Sequence, residues 1–129
     1  MKKKSFYGEV RDGVQRVWYV EALWALSDTL PTTMVEISEI DAVDQVTWFH
    51  EGGPQPTCRE ITKHCRRIMN ADLSYPILLK SDHRVLDGMH RISRCLLEGR
   101  EQIEAKILDP MPEPDEVHPW PRVPTEENS

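Results

Sequence analysis

Apolar positions change period several times along the chain, and each change marks a boundary between elements. Over residues 14–30, Val14, Val17, Trp18, Ala22, Leu26 and Leu30 recur at helical spacing. Pro31 supplies a stop, so the pattern predicts a helix packed on a sheet. Met34-Val35-Glu36-Ile37, continued by Ile40, then alternates as a first strand does. Residues 41–56 lose all periodicity and gather glycine and proline around Trp48-Phe49, which marks a loop. Two aromatics in such a loop suit it to binding.

Helical spacing resumes at Thr57, with Glu60 three residues on in the pattern of a capping box. The apolar face of this helix is Cys58, Ile61, Cys65, Ile68 and Met69, and Arg59, Lys63, Arg66 and Arg67 lie largely off it. Tyr75–Lys80 and Arg84–Leu86 read as two strands joined by the turn Ser81-Asp82-His83. A helix follows from Gly88 to about Glu98, with a stripe of Met89, Ile92, Cys95 and Leu96 and with Gly99 placed to end it. Gln102–Leu108 alternates again as a closing strand, with Ile103, Ala105 and Ile107 on one face. The sum is an α+β fold, a small mixed sheet of about four strands packed with helices. No internal repeat occurs.

The junction between the last hairpin and its helix carries the most chemistry. Asp87-Gly88-Met89-His90-Arg91 turns a strand into a helix through a tight corner. The first turn of a helix leaves N–H groups without intrahelical acceptors, and the helix dipole favours negative charge there. Arg91 adds a permanent cation with a fork suited to phosphate, and His90 adds a second nitrogen donor. An ordinary strand–helix turn, with Asp87 as its cap, uses the same residues.

Composition sharpens the picture in a few places. The 129 residues suffice for one domain over 1–108, and the acidic, proline-rich segment 109–129 reads as an extended or disordered tail in which Trp120 is the one anchor. The formal charge of −6 is concentrated in that tail, whose six acids face one base. Residues 59–94, by contrast, hold eight bases against four acids, centred on the corner. Three cysteines (Cys58, Cys65 and Cys95) make no disulfide framework, no apolar run is long enough to span a bilayer, and Met1-Lys2-Lys3-Lys4 does not lead into a signal-peptide core. These features point to the cytoplasm and away from membranes. The cluster Cys58, His64, Cys65 with His50 fits no zinc spacing, so no metal site is assigned.

Asp87-Gly88-Met89-His90-Arg91, set between a hairpin and a helix ending at Gly99, resembles the signature corner of the ParB/sulfiredoxin-like superfamily. The resemblance covers roughly residues 33–108. It implies a domain that seats nucleotide phosphates on this turn, held by the backbone of Gly88, Met89 and His90 and by the side chains of His90 and Arg91. The implied ligand is ATP, ADP or CTP with Mg²⁺, and the implied activity is phosphoryl transfer or nucleotide hydrolysis. The turn is most similar to that of SerK-type free-serine kinases. These need an acidic general base near the end of the first strand, for which Glu36, Glu39 and Asp41 are the candidates. Thr57, Arg59 and Trp48 are further candidate nucleotide contacts.

The departures narrow that expectation. Met89 stands where sulfiredoxins carry their catalytic cysteine, and a thioether cannot perform that chemistry. The helix-turn-helix module of partition proteins has no counterpart in the chain, and Gln55-Pro56-Thr57 echoes only weakly their glutamine-proline-arginine segment. Two other readings stand beside the nucleotide one. The first is a catalytically silent interaction module whose tail contacts a partner protein. The second, less favoured, is a ParB-like nucleic-acid-associated protein or minimal nuclease that uses the basic face of the helix after Thr57.

Overall fold

The computed structural model describes residues 5–121, which divide between two compact units: residues 5–29 with 111–121, and Leu30–Pro110. Along the chain run β1 (Phe6–Arg11), β2 (Val14–Tyr19), α1 (Val20–Leu26), β3 (Thr33–Glu36), α2 (Cys58–Met69), β4 (Ile77–Lys80), β5 (Val85–Asp87), α3 (Met89–Leu97), β6 (Gln102–Leu108) and β7 (Glu116–Pro119). Two single-turn 3₁₀ segments, Ile37–Glu39 and Asp41–Asp44, follow β3. The whole is α+β, with two sheets and three α-helices among the described residues.

The larger unit is built on a four-stranded mixed sheet of order β3-β6-β4-β5. β6 lies antiparallel to β3 and parallel to β4, and β4 turns back antiparallel into β5. The two inner strands carry the apolar density. Ile77, Leu78 and Leu79 of β4 are fully buried, as is Ala105 of β6. A parallel pair of strands needs a crossover between its members, and here β5 and α3 provide it. α3 lays Ile92 and Cys95 onto the core formed by Val35, Ile37, Ile40, Ile77, Leu79, Ile103 and Ala105. Ile107 packs against this cluster, so the alternating face of β6 is the one read from the sequence.

Helix ends follow their sequence signals closely. The Thr57 hydroxyl accepts from the Glu60 backbone N–H and caps α2. Past the end of α3, Gly99 adopts φ +74°. Its N–H donates to Leu96, and that of Arg100 donates to Cys95, which completes a Schellman motif. β4 starts at Ile77 rather than Tyr75, because Pro76 has no N–H to give to a ladder.

The smaller unit departs from the expected organisation. Residues 14–19 are a strand, not the first half of a helix, and only Val20–Leu26 is helical. β1 and β2 form a hairpin closed by Asp12-Gly13, both at positive φ, the backbone that a two-residue hairpin turn demands. β2 is the middle strand of a three-stranded sheet of order β1-β2-β7. The proline-rich segment is therefore not wholly irregular. Glu116–Pro119 pairs antiparallel with Val14–Val17, the Asp115 N–H donates to Val17, and the Asp115 carboxylate accepts from the Tyr19 N–H. The Trp18 indole donates to the Pro112 carbonyl at 2.8 Å, the Tyr19 hydroxyl donates to Glu116, and the Trp120 N–H donates to Gly13. The basic start of the chain and the acidic residues beyond 121, with Arg122, Glu126 and Glu127, lie outside the described residues.

Candidate functional site

Gly88 makes the corner possible for two reasons. Its φ of +123° is open only to a residue without a side chain, and a Cβ placed there would meet Cγ2 of Ile77 at 2.5 Å. The start of α3 is thus pressed directly onto the central strand. The first turn of α3, whose N–H groups have no intrahelical acceptors, borders a cavity of about 450 Å³ that is also lined by Arg66 and Arg67 near the end of α2 and by the loop at Asp72. Asp87, Gly88, Met89, His90 and Arg91 all line this space. Three arginines from two helices therefore line one cavity together with a helix N-terminus, and their charge and the helix dipole both favour an anion there.

Arg91 is held in place from behind. One guanidinium nitrogen donates to the Pro76 carbonyl at 3.1 Å, and the group lies over the Tyr75 ring at 6.0 Å. A guanidinium has five N–H donors, so this anchoring leaves others for a ligand. Asp72 is fixed as well. It accepts from the Ser74 hydroxyl and N–H, which holds its carboxyl below the usual range.

His90 lines the cavity, and its ring also has a partner of its own. Its Nε2 meets Nδ1 of His64 at 2.8 Å, a hydrogen bond in which one ring donates and the other accepts. The indole of Trp48 stacks over both rings, 4.3 Å from His64 and 4.7 Å from His90, and Phe49 meets His64 edge-on. Burial, then the nearness of His64 and Arg67, pushes His90 down to about 4 against the pull of Asp87. Burial and Arg67 lower His64 in the same way. At neutral pH both rings are uncharged, and the positive charge of the cavity comes from the arginines. The histidine pair ties α2 to α3 and holds the loop at Trp48 over both. His64 carried no signal of this role in the sequence, because its partner lies 26 residues away.

The remaining candidates scatter. Glu36 accepts from the Gln102 amide, Glu39 sits 3.7 Å from His83, and Asp41 opens an exposed 3₁₀ turn. None of the three lines the cavity; the carboxylates that do are Asp72 and Asp87. Thr57 is occupied as a helix cap, Arg59 is exposed outside the lining, and Trp48 reaches it only through His90. A second, more apolar cavity of about 260 Å³ opens between residues 42–49 and α3, and Met89 lines both spaces. Cys58 and Cys65 are exposed and Cys95 is buried, all as free thiols. Among the described residues no group of three or more His, Cys, Asp or Glu side chains converges as a metal site, and no helix is long and apolar enough to cross a membrane. No protein-family model, curated protein or solved structure matches the chain.

Proposed function

We propose that this chain binds a phosphate-bearing ligand, a nucleoside di- or triphosphate with Mg²⁺, in the cavity at the start of α3. The observation that carries this reading is that Arg66, Arg67 and Arg91 line one cavity together with the first turn of α3. Backbone N–H groups at a helix N-terminus and forked guanidinium donors form a complementary cradle for phosphate oxygens. Mg²⁺ bound with a nucleotide needs only one or two protein carboxylates besides phosphate oxygens, and Asp72 and Asp87 meet that demand within the same cavity. Membership of the ParB/sulfiredoxin-like fold belongs to this same reading. The Gly88 corner and the parallel β4–β6 pair bridged by α3 are what support it. In this reading His90 positions α3 against α2 and gives the ligand only its backbone N–H. Phosphoryl transfer further requires a base near the acceptor. Asp87 is better placed for that than Glu36, Glu39 or Asp41, because it alone of the four lines the cavity.

The test is calorimetric titration of ATP, ADP, CTP and GTP, with and without Mg²⁺, into the wild type and an Arg66→Ala/Arg91→Ala variant. Each charge-assisted contact contributes about 1.5–3 kcal/mol, so the double variant is expected to bind at least about a hundredfold more weakly. Absence of wild-type binding at millimolar nucleotide would overturn the reading.

A further inference from the structure

The outward side of α2 is unlike any other helical surface of the larger unit. Not one of its twelve residues is buried. Cys58, Ile61, Cys65 and Met69 fall at helical spacing on one stripe, and all four are exposed, Ile61 at 44% and Met69 at 58%. The helix is nonetheless held firmly. Thr57 caps its start, His64 is clamped by His90 and Trp48, and Arg94 donates to the Met69 carbonyl near its end. A rigid, solvent-facing apolar stripe about 18 Å long is thus presented without any need to order it on binding.

Charge beside the stripe indicates what covers it. Arg59, Lys63 and Arg66 are all exposed and follow one another along one flank; among these, Lys63 pairs with Glu60 at 3.1 Å. A second copy of the chain would set these cations against their own images. A bilayer would gain little from a stripe of two cysteines, one isoleucine and one methionine with no aromatic residue. Nucleic acid would meet the cations but leave the apolar stripe without a partner. We infer that the outward face of α2 docks an acidic amphipathic helix of a partner protein, its apolar seam on Ile61, Cys65 and Met69 and its carboxylates on Arg59 and Lys63. This is helix-on-helix recognition with charges fixing the orientation.

The experiment uses the full chain and two fluorescent peptides with the same leucine face, one carrying glutamate and the other lysine on the polar face. Binding of the acidic peptide alone is expected, weakened at least about tenfold by Met69→Glu and by the exposed pair Arg59→Glu/Lys63→Glu. Bound peptide should also slow modification of Cys58 and Cys65 by a thiol reagent. Nucleotide titration of the Met69→Glu variant separates this surface from the cavity, because its nucleotide binding should equal that of the wild type. Equal binding of both peptides overturns the inference, as does no binding at millimolar acidic peptide or an acidic-peptide affinity unmoved by either variant. So would capture of the wild type, but not of Met69→Glu, by phosphatidylglycerol vesicles or by an oligonucleotide, or concentration-dependent self-association that Met69→Glu abolishes.

Discussion

α2 and α3 read alike in the sequence and behave oppositely in the fold. Both have an apolar stripe at helical spacing, both carry cations off that stripe, and both end with well-formed terminal hydrogen bonds. α3 lays Ile92 and Cys95 on the sheet, fully buried, whereas α2 has no fully buried residue and meets α3 through His64 and its C-terminal turn. Amphipathic spacing thus announces that a helix has a side to hide, but not which surface will hide it. In this chain one stripe closes the core and the other is left to the surroundings.

That contrast can be broken by mutation, and the largest effect belongs to α3. Ile92→Ala is expected to cost about 2–5 kcal/mol, since it empties a fully buried site on the sheet. Denaturant unfolding measures it, and a cost below about 1 kcal/mol would mean the α3 interface is loose. Gly88→Ala should follow at about 2–4 kcal/mol, combining a positive-φ backbone with a methyl group driven into Ile77. If that variant melted like the wild type, the close approach of α3 to β4 would be refuted.

A pH-dependent effect comes next. His90 stands at about 4 in the folded protein instead of its ordinary 6.5, so between those values the unfolded chain binds more protons. Stability should therefore be full above pH 6.5 and decline as pH falls towards 4, with a change in Trp48 emission as the stacked pair opens. His90→Phe should flatten this part of the profile, and an identical profile in that variant would remove the histidine clamp from the account. On α2, Thr57→Ala should cost about 1 kcal/mol through the lost cap. Ile61→Ala should change stability least, within about 0.5–1 kcal/mol, because its side chain is already half in water.

Legibility in the sequence followed how local each determinant was. The cap at Thr57, the end at Gly99 and the strand Gln102–Leu108 are set by neighbours within a few residues, and all were readable, as was the turn at Gly88 though not its contact with Ile77. Val14, Val17 and Trp18 satisfy a helical period by themselves. Their strand state is decided by Asp12-Gly13, which folds β1 onto them, and by Glu116–Pro119 arriving on the other side from a hundred residues downstream. Asp12-Gly13 was a readable hairpin signal that the helical period obscured. β7 is four residues long and includes a proline, too short an alternation to stand out within a proline-rich segment. At the site, the three arginines lay in a basic stretch visible from composition. The His64–His90 bond depends on how α2 meets α3, which no local spacing encodes.

The arrangement of the two sheets has a bearing on how the chain comes off the ribosome. Every strand of the four-stranded sheet has been made once Leu108 is added, and all of them come from one unbroken stretch. The middle strand of the three-stranded sheet is synthesised before any of them, yet it stays open along one edge until Glu116–Pro119 is made. The hairpin of β1 and β2 must therefore wait, half-paired, for β7. The inserted unit can fold in the meantime, so the three-stranded sheet is completed only after every strand of the four-stranded one has been made.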